Sequence, residues 1–271
     1  MAPAKSVWRE IVRGVEIAYD DVGSGPCVVL LHGYPFNRSM WREQIEALNL
    51  HHRVITPDLR GHGESEVTPG VVRMEDMAGD VASLLETLNI SRSTICGLSM
   101  GGYVALAFCR LFPLQVRSLV LADTRAQGDT EEGRQNREQQ SEKALREGME
   151  GIADALLPKL LTSETVEKRP DIVKRVREMM VATNPEGAAA ALRGMAERRD
   201  HTSFLSRIIA PTLIIVGSED AITPVADAEL MHHEIGGSRL QVIEGAGHVS
   251  NIEKPEEFNR AVVDFMHDIE V

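Results

Sequence analysis

The chain alternates short, wholly apolar runs with longer stretches in which apolar residues recur every three or four positions. Residues 27–31 read CVVLL, and such a run is typical of a strand buried on both faces of a parallel sheet. Residues 75–88 instead place Met77, Val81 and Leu84 on one side of an amphipathic helix. Strands that alternate with helices in this way predict βαβ units, and therefore a mostly parallel sheet with helices on both faces.

Eight segments are predicted as strands, and the first two of them are joined at Arg13-Gly14, a plausible tight turn. They are residues 8–12, 15–19, 27–31, 53–56, 93–96, 117–121, 211–216 and 239–243. The connecting and following helices are predicted at residues 39–48, 75–88, 100–111, 225–235 and 255–267. The pattern therefore predicts the α/β class, with one sheet at the centre of the molecule.

The pattern changes between the sixth and seventh predicted strands. Residues 125–206 contain no convincing strand and consist of polar, charged helical stretches, which we expect to be broken at Pro158, Pro170 and Pro185. The less polar parts of this segment are suited to pack on the core or to roof a cleft. We therefore expect residues 1–124 and 207–271 to form the core, and residues 125–206 to form a helical cap inserted into it.

Composition narrows the classes of partner. The net charge of −12 argues against nucleic acid, because phosphate binding needs a basic face. No apolar stretch approaches the roughly 20 residues that span a bilayer, and residues 1–10 lack the apolar segment of a secretory signal. These features predict a cytoplasmic protein with no membrane partner, while the oligomeric state is left open.

The three cysteines are Cys27, Cys96 and Cys109, and each lies in an apolar run. An odd number of cysteines in such runs favours reduced, buried thiols over a disulfide framework. None lies in a turn beside a histidine, so the sequence does not favour a cysteine nucleophile.

The most informative segment lies between the fifth predicted strand and the helix after it. Residues 97–101 read G-L-S-M-G, which matches G-x-S-x-G in the strand–turn–helix context that this motif requires. Such a turn strains its central residue, and flanking glycines remove side chains that would collide across it. The turn would present Ser99 at the carboxyl end of the sheet, above a helix N-terminus that favours negative charge. We interpret Ser99 as a nucleophile; the alternative is a serine that only caps the helix.

A serine nucleophile needs a base, and the base needs a carboxylate that orients it. In this type of site the order along the chain is serine, acid, histidine. His248 lies in a glycine-rich loop after the last predicted strand, and of the nine histidines it alone combines such a loop with the required order. Asp220 ends the turn after residues 211–216 and is the predicted acid. Asp123, which follows the sixth strand, remains an alternative acid.

The negative oxygen of a tetrahedral intermediate needs backbone N–H donors that are already in place. The amide of Met100, which follows the nucleophile, is one predicted donor. The second is expected in the loop after the third strand, and we predict the amide of Tyr34. Pro35 has no N–H, and Phe36 is the remaining alternative.

Five segments of the chain together resemble the α/β-hydrolase superfamily. They are HGYP at 32–35, DLRGHGES at 58–65, GLSMGG at 97–102, GSED at 217–220 and GAGH at 245–248. The matched regions extend from about residue 20 to the end of the chain, outside the predicted cap. The resemblance implies an eight-stranded sheet, a cap between strands six and seven, and neither a metal nor an organic cofactor.

Within this superfamily, residues 97–102 and 247–255 resemble carboxylesterases and 3-oxoadipate enol-lactonases, while residues 32–36 are more similar to the general esterase form. Haloalkane dehalogenases and epoxide hydrolases differ, because they need a carboxylate at the position of Ser99. We expect a serine esterase that cleaves small, relatively apolar carboxylic esters through an acyl-enzyme, because few charged residues adjoin the motifs. The alternatives are an enol-lactone or C–C bond hydrolase with the same triad, and a signalling protein of this fold that binds a small molecule.

Overall fold

The computed structural model describes residues 7–270, and its strands form one eight-stranded sheet within that range. The strands are β1 (Trp8–Val12), β2 (Val15–Val22), β3 (Cys27–Leu31), β4 (Arg53–Pro57), β5 (Ser93–Leu98), β6 (Val116–Ala122), β7 (Thr212–Gly217) and β8 (Arg239–Ile243). Their spatial order is β1-β2-β4-β3-β5-β6-β7-β8. β2 pairs antiparallel with β1 and β4, and all other pairs are parallel. The predicted α/β fold with a mostly parallel eight-stranded sheet is confirmed.

Eleven α-helices accompany the sheet in residues 7–270. They are α1 (Arg42–Leu48), α2 (Met74–Thr87), α3 (Met100–Leu111), α4 (Glu131–Glu147), α5 (Glu150–Leu160), α6 (Ser163–Lys168), α7 (Pro170–Val181), α8 (Pro185–Ala196), α9 (Val225–Glu234), α10 (Ser250–Glu253) and α11 (Pro255–Glu270). Short 3₁₀ helices occur at Arg38–Trp41, Pro113–Gln115 and Thr202–Arg207. The predicted helices all occur, although the first begins as the 3₁₀ turn that precedes α1.

The central strands are apolar throughout because both of their faces are covered. Along β3, Val29 and Leu31 join the apolar cluster formed with α2, α3 and α9. Val28 and Leu30 point to the opposite face and join the cluster formed with α1 and α11. Period-two alternation of side chains therefore buries every residue of the strand.

The segment between β6 and β7 is helical, as the sequence predicted. Helices α4 to α8 lie there, with α4 packed on α8 and α5 on α7; we call residues 123–211 the helical insertion. The division into a core of residues 1–124 and 207–271 and a separate cap of residues 125–206 remains a prediction.

One expectation for the insertion is wrong. Pro170 and Pro185 are each the first residue of a helix, but Pro158 lies inside α5 and does not end it. Proline disrupts a helix interior by removing a hydrogen bond and by colliding with the preceding turn. Pro158 is placed in the last turn of α5, only two residues before Leu160, so little helix remains for it to disrupt.

The cysteine prediction is borne out. Cys27, Cys96 and Cys109 are free thiols and are buried. Burial disfavours the charged thiolate, and it raises the pKa of Cys27 to about 12 and that of Cys109 to about 11. None of the three is therefore a reactive nucleophile near neutral pH.

Candidate active site

Ser99 occupies the sharp turn between β5 and α3. Its backbone has φ 54° and ψ −115°, a region that residues other than glycine rarely adopt. The Ser99 amide donates a hydrogen bond of 3.0 Å to the carbonyl of Ala122 at the end of β6. Its carbonyl accepts a hydrogen bond from the Thr124 hydroxyl at 2.8 Å. These contacts hold the strained turn in place and expose the side chain at the carboxyl edge of the sheet.

The two glycines of the motif are required by the space around this turn. A Cβ atom at Gly97 would overlap the carbonyl of Gly101, and one at Gly101 would overlap the carbonyl of Leu31 on β3. The motif spacing therefore follows from backbone contacts between β5, α3 and β3, since only a residue without a side chain fits at either position.

Ser99, His248 and Asp220 form one hydrogen-bonded chain. Nε2 of His248 lies 2.8 Å from Oγ of Ser99, and Nδ1 of His248 lies 2.8 Å from Oδ2 of Asp220. His248 and Asp220 are 2 % and 5 % exposed. The Ser99 side chain makes no hydrogen bond to the backbone of α3, so its geometry does not match that of a serine that only caps a helix.

The Asp220 carboxylate is fixed by the turn that follows it. Amides of Ile222 and Thr223 donate to Oδ1 at 2.8 and 2.9 Å, and the Thr223 hydroxyl donates to Oδ2 at 2.7 Å. Burial favours a higher pKa for Asp220, but the charge and hydrogen bond of His248, together with the Thr223 hydrogen bonds, outweigh it and lower the pKa. Asp220 is therefore held ionised beside the imidazole. The sequence analysis did not identify Thr223, three residues after Asp220, as a partner of this carboxylate. Its proximity to Asp220 in the sequence is the signal that could have indicated it.

Asp123, the alternative acid, contacts other groups. Its Oδ1 accepts a hydrogen bond of 2.9 Å from the Gly217 amide, and its Oδ2 accepts one of 2.5 Å from the Ser250 hydroxyl. It is fully buried, and burial together with the negative charge of Asp220 raises its pKa well above the ordinary value. Asp220 is therefore the carboxylate that bonds to His248, while Asp123 joins the end of β7 to the segment after His248.

The loop after β3 leaves two amides without a partner. Within residues 7–270, neither the Tyr34 amide nor the Met100 amide donates to a protein acceptor, whereas the Phe36 amide donates to the carbonyl of Gly33 at 2.9 Å. Phe36 is therefore a poorer donor for a ligand than Tyr34. Tyr34 lines the same cavity as Ser99.

His32 fixes this loop through both ring nitrogens. Its Nε2 accepts a hydrogen bond of 2.9 Å from the Leu59 amide, so its Nδ1 carries the proton and donates to the Gly33 carbonyl at 2.9 Å. Burial lowers the pKa of His32 to about 4, which keeps the ring neutral near pH 7. The sequence singled out only the backbone of this loop; the role of the His32 ring depends on Leu59, which is distant in sequence.

A buried carboxylate connects the His248 loop to the helical insertion. Oε2 of Glu253 accepts a hydrogen bond of 2.7 Å from the Gly247 amide, and Oε1 accepts bonds of 2.9 and 3.1 Å from the amide and hydroxyl of Thr162. The His248 amide also donates to the carbonyl of Leu160 at 2.9 Å. The loop that carries the imidazole is thus bonded on both sides of His248 to the end of α5.

A cavity of about 420 Å³ opens onto Ser99 and His248. Tyr34, Tyr103 and the turn after β7 line part of it, and the helical insertion supplies further lining residues. The insertion contributes Arg137 and Gln140 from α4, Leu156 and Lys159 from α5, and Met195 from α8. The sequence did not predict these residues, because no local motif marks them.

Within residues 7–270, no three or more histidine, cysteine, aspartate or glutamate side chains are grouped as metal ligands. Over the same range, no helix has the length and apolar character needed to cross a bilayer.

Comparison with known proteins agrees with the fold. Residues 26–255, which are most of the chain, match the protein family described as alpha/beta hydrolase fold. The chain belongs to this family, and the resemblance inferred from its motifs is confirmed.

The proteins to which the chain is similar are enol-lactonases and esterases of this family. The chain is 34 % identical over 238 residues to 3-oxoadipate enol-lactonase 2 of Acinetobacter baylyi, covering 88 % of this chain and 87 % of that protein. A thermophilic esterase from Thermogutta terrifontis, solved with malate bound, superposes with a TM-score of 0.96 at 40 % identity, covering 98 % and 100 % of the two chains. The enol-lactonase from Burkholderia xenovorans LB400 superposes with a TM-score of 0.91 at 33 % identity, covering 96 % and 100 %. The protein is an alpha/beta hydrolase of the enol-lactonase and esterase type.

Proposed function

We propose that this protein is a serine esterase that hydrolyses small carboxylic esters through an acyl-enzyme on Ser99. The observation that carries the proposal is the hydrogen-bonded chain from Ser99 through His248 to Asp220, with both distances at 2.8 Å. Its position at a strained strand-to-helix turn beside a cavity supports the same conclusion, because the hydroxyl is both activated and accessible.

In the proposed reaction, Oγ of Ser99 attacks the ester carbonyl while Nε2 of His248 accepts the hydroxyl proton. Asp220 keeps the other ring proton on Nδ1 and stabilises the imidazolium that forms. His248 then donates its proton to the leaving alcohol, which leaves the acyl group on Ser99. A water molecule deprotonated by His248 attacks the acyl-enzyme, and the acid is released with Ser99 restored.

The amides of Tyr34 and Met100 are proposed as donors to the tetrahedral oxygen. Both are without a protein acceptor in the described residues, and both belong to segments that border Ser99. Met100 is also the first residue of α3, whose N-terminal dipole favours negative charge at this point.

We further propose that residues 125–206 act as a cap that selects the substrate. The helices of this region supply one wall of the cavity, and a covered site strengthens the electrostatic contacts made inside it. In this proposal the core supplies the reaction and the cap supplies specificity.

Hydrolysis of an enol-lactone is the second candidate, favoured by the relatives of that name at 34 % and 33 % identity. The same groups would open a lactone ring, with the alcohol remaining part of the product. Values of kcat/KM for 3-oxoadipate enol-lactone and for the best simple ester separate the two. A preference of about a hundredfold or more for the lactone would replace the esterase assignment.

The proposal is tested by steady-state release of p-nitrophenol from acetate, butyrate and octanoate esters. We expect repeated turnover by the wild type and a loss of at least about a thousandfold in kcat for Ser99→Ala. Ser206→Ala, which changes an exposed serine in a 3₁₀ helix, is the matched control and should behave like the wild type.

A serine-directed phosphonate gives an independent readout. It should add one label to the wild type and to Ser206→Ala, and none to Ser99→Ala. Equal rates for the wild type and Ser99→Ala, together with labelling at another residue, would contradict the proposal.

A further inference from the structure

The part of the cavity wall that the helical insertion supplies carries positive charge. On α4, Arg137 and Gln140 line the cavity with Gly133 and Asn136, and this spacing of three and four residues defines one helix face. Lys159, on the last turn of α5, lines the cavity and is exposed. The only carboxylate in the insertion's part of the wall is Asp129.

Asp129 is already paired within the protein. It forms ion pairs with Arg137 and with Arg198, the latter at 2.7 Å. Burial favours a higher pKa for Asp129, but the two guanidinium groups outweigh it and lower the pKa. Arg198 is itself fixed, with its guanidinium 4.3 Å from the centre of the Tyr103 ring. One carboxylate thus faces two arginines, and a surplus of positive charge remains beside the cavity.

Arg137 has donors left for a ligand. Its Nε is committed to Asp129, and its Nη1 lies 3.4 Å from the sulfur of Met195, a weak acceptor. Within residues 7–270, its Nη2 donates to no protein acceptor. The side chain is 22 % exposed, so it is partly desolvated and accessible from the cavity. A guanidinium in this state is suited to bind a carboxylate.

Two other groups in the wall fit the same ligand. The phenol oxygen of Tyr34 is buried and has no hydrogen-bond partner in the described part of the chain. Lys159 forms no ion pair or side-chain hydrogen bond there, so its ammonium is available at the rim of the cavity. The protein carries a net charge of −12, and a local positive wall therefore contrasts with the field of the whole molecule.

We infer that the preferred substrate is an ester or lactone that carries a second, ionised carboxylate, bound by Arg137 with Lys159 at the cavity rim. This inference rests on the proposed hydrolysis at Ser99 and replaces the expectation of an apolar substrate. That expectation used only the residues near the motifs, whereas the charged wall is formed by the insertion. The carboxylate acts in recognition, and it leaves the steps at Ser99 unchanged.

Pairs of substrates with nearly the same shape but different charge test whether the enzyme recognises the carboxylate. Monomethyl esters of the straight-chain dicarboxylic acids from succinate to suberate are compared with the corresponding amide-ended methyl esters, which have nearly the same shape and no charge. Hydrolysis is followed by acid release in a pH-stat. We expect the wild type to prefer the acid-ended ester at the best chain length by about tenfold or more in kcat/KM, and we expect salt to reduce the preference.

Variants of the positively charged residues test whether they cause the preference for the acid-ended ester. Arg137→Gln should lower kcat/KM for the acid-ended ester by about tenfold or more while changing the amide-ended ester by less than about threefold. Lys159→Gln, whose side chain has no protein partner to disturb, should lower the same preference by about two- to fivefold. Arg134→Gln is the matched control, because Arg134 lies on α4 outside this cavity and is 55 % exposed; it should leave both substrates unchanged.

The outcomes distinguish this inference from the proposed reaction. Ser99-dependent turnover with equal or better use of the amide-ended ester would overturn the carboxylate site and leave the esterase assignment intact. An equal loss on both esters in Arg137→Gln and in Lys159→Gln would also overturn it. If no ester is hydrolysed, the proposed hydrolysis is contradicted. The carboxylate site is then tested separately, by measuring the melting temperature with and without added glutarate. A rise in melting temperature for the wild type but not for Arg137→Gln supports the site, and no rise for either overturns it.

Discussion

The serine turn and the helical insertion meet at the same cavity, but they are specified in different ways. At the turn, Gly97 is required by the nearby carbonyl of Gly101, and Gly101 in α3 is required by the carbonyl of Leu31 on β3. In the insertion, Arg137 lines the cavity on α4, a helix that packs mainly on α8. The serine turn is therefore recognisable from a local motif whose spacing follows from backbone contacts, while the groups that would select a substrate depend on packing between helices that no local motif marks.

The largest expected effect concerns the two carboxylates at the ends of β6 and β7. Asp220→Asn should lower kcat by about a thousandfold to ten-thousandfold, because an amide beside Nδ1 favours the wrong imidazole tautomer. Asp123→Asn should lower it by less than about tenfold, since Asp123 bonds to Gly217 and Ser250 and not to His248. Steady-state kinetics on one ester checks both. Similar losses for the two variants would reopen the assignment of the acid.

The second prediction compares a glycine of the turn with a glycine of the insertion. Gly97→Ala should lower the free energy of unfolding by about 3 kcal/mol or more, because the new methyl group overlaps the Gly101 carbonyl. Gly151→Ala in α5 should raise it by about 0.5–1 kcal/mol, since the nearest atom, at 3.5 Å, belongs to the flexible Lys143 side chain. Urea unfolding measures both. A well-tolerated alanine at residue 97 would mean that the turn is less constrained than the contacts indicate.

The third prediction tests the connection between the two regions. Glu253→Ala removes three hydrogen bonds that join Gly247 to Thr162, and we expect kcat to fall by about tenfold with a smaller change in KM. The free energy of unfolding should fall by about 2–3 kcal/mol, because buried amides lose their acceptor. Glu256→Ala, at an exposed position on α11, is the control. An unchanged kcat in a folded Glu253→Ala protein would show that the connection does not align His248.

The smallest effect concerns the dependence of stability on pH. Asp123 has a raised pKa, so the folded state binds more protons than the unfolded state above pH about 4, and this group lowers stability as pH rises. Asp220 has a lowered pKa, so its contribution is present above its unfolded pKa and is lost as pH falls through the folded value. Asp123→Asn should therefore gain stability relative to the wild type between pH 4 and pH 7. Urea midpoints across that range test the sign, and a relative loss of stability would contradict it.

The difference between the serine turn and the helical insertion also explains which features could be predicted from the sequence. The central strands were found because each is a short, mainly apolar run that is buried on both faces of the sheet. β1 and β8 mix polar with apolar residues because they lie at the edges of the sheet. Ser99, His248 and Asp220 were predicted because each follows a strand at the same edge of the sheet and their order along the chain is serine, acid, histidine. The structure places His248 within hydrogen-bond distance of both Ser99 and Asp220. The choice between Asp220 and Asp123 stayed open, since both aspartates end neighbouring parallel strands and only their partners distinguish them.

The insertion had no comparable local signal. Arg134 and Arg137 lie within one turn of α4, and no feature of the sequence distinguishes them. Of the two, only Arg137 lines the cavity. The position of Pro158 in the last turn of α5 was also missed, because a proline marks a helix end only approximately. Glu253 and Thr162 are 91 residues apart, and a contact of that separation is invisible to pattern and spacing.

The bonds from the His248 loop to Leu160 and Thr162 have a mechanical consequence. A motion that lifts the end of α5 away from the sheet must break them, and it would draw the imidazole away from Ser99 in the same step. The end of α5 and the loop that carries His248 are therefore expected to move together, and Leu160 at this point also lines the cavity. Occupancy of the cavity and alignment of the imidazole are then coupled equilibria, so a ligand that steadies the end of α5 also steadies the proton acceptor.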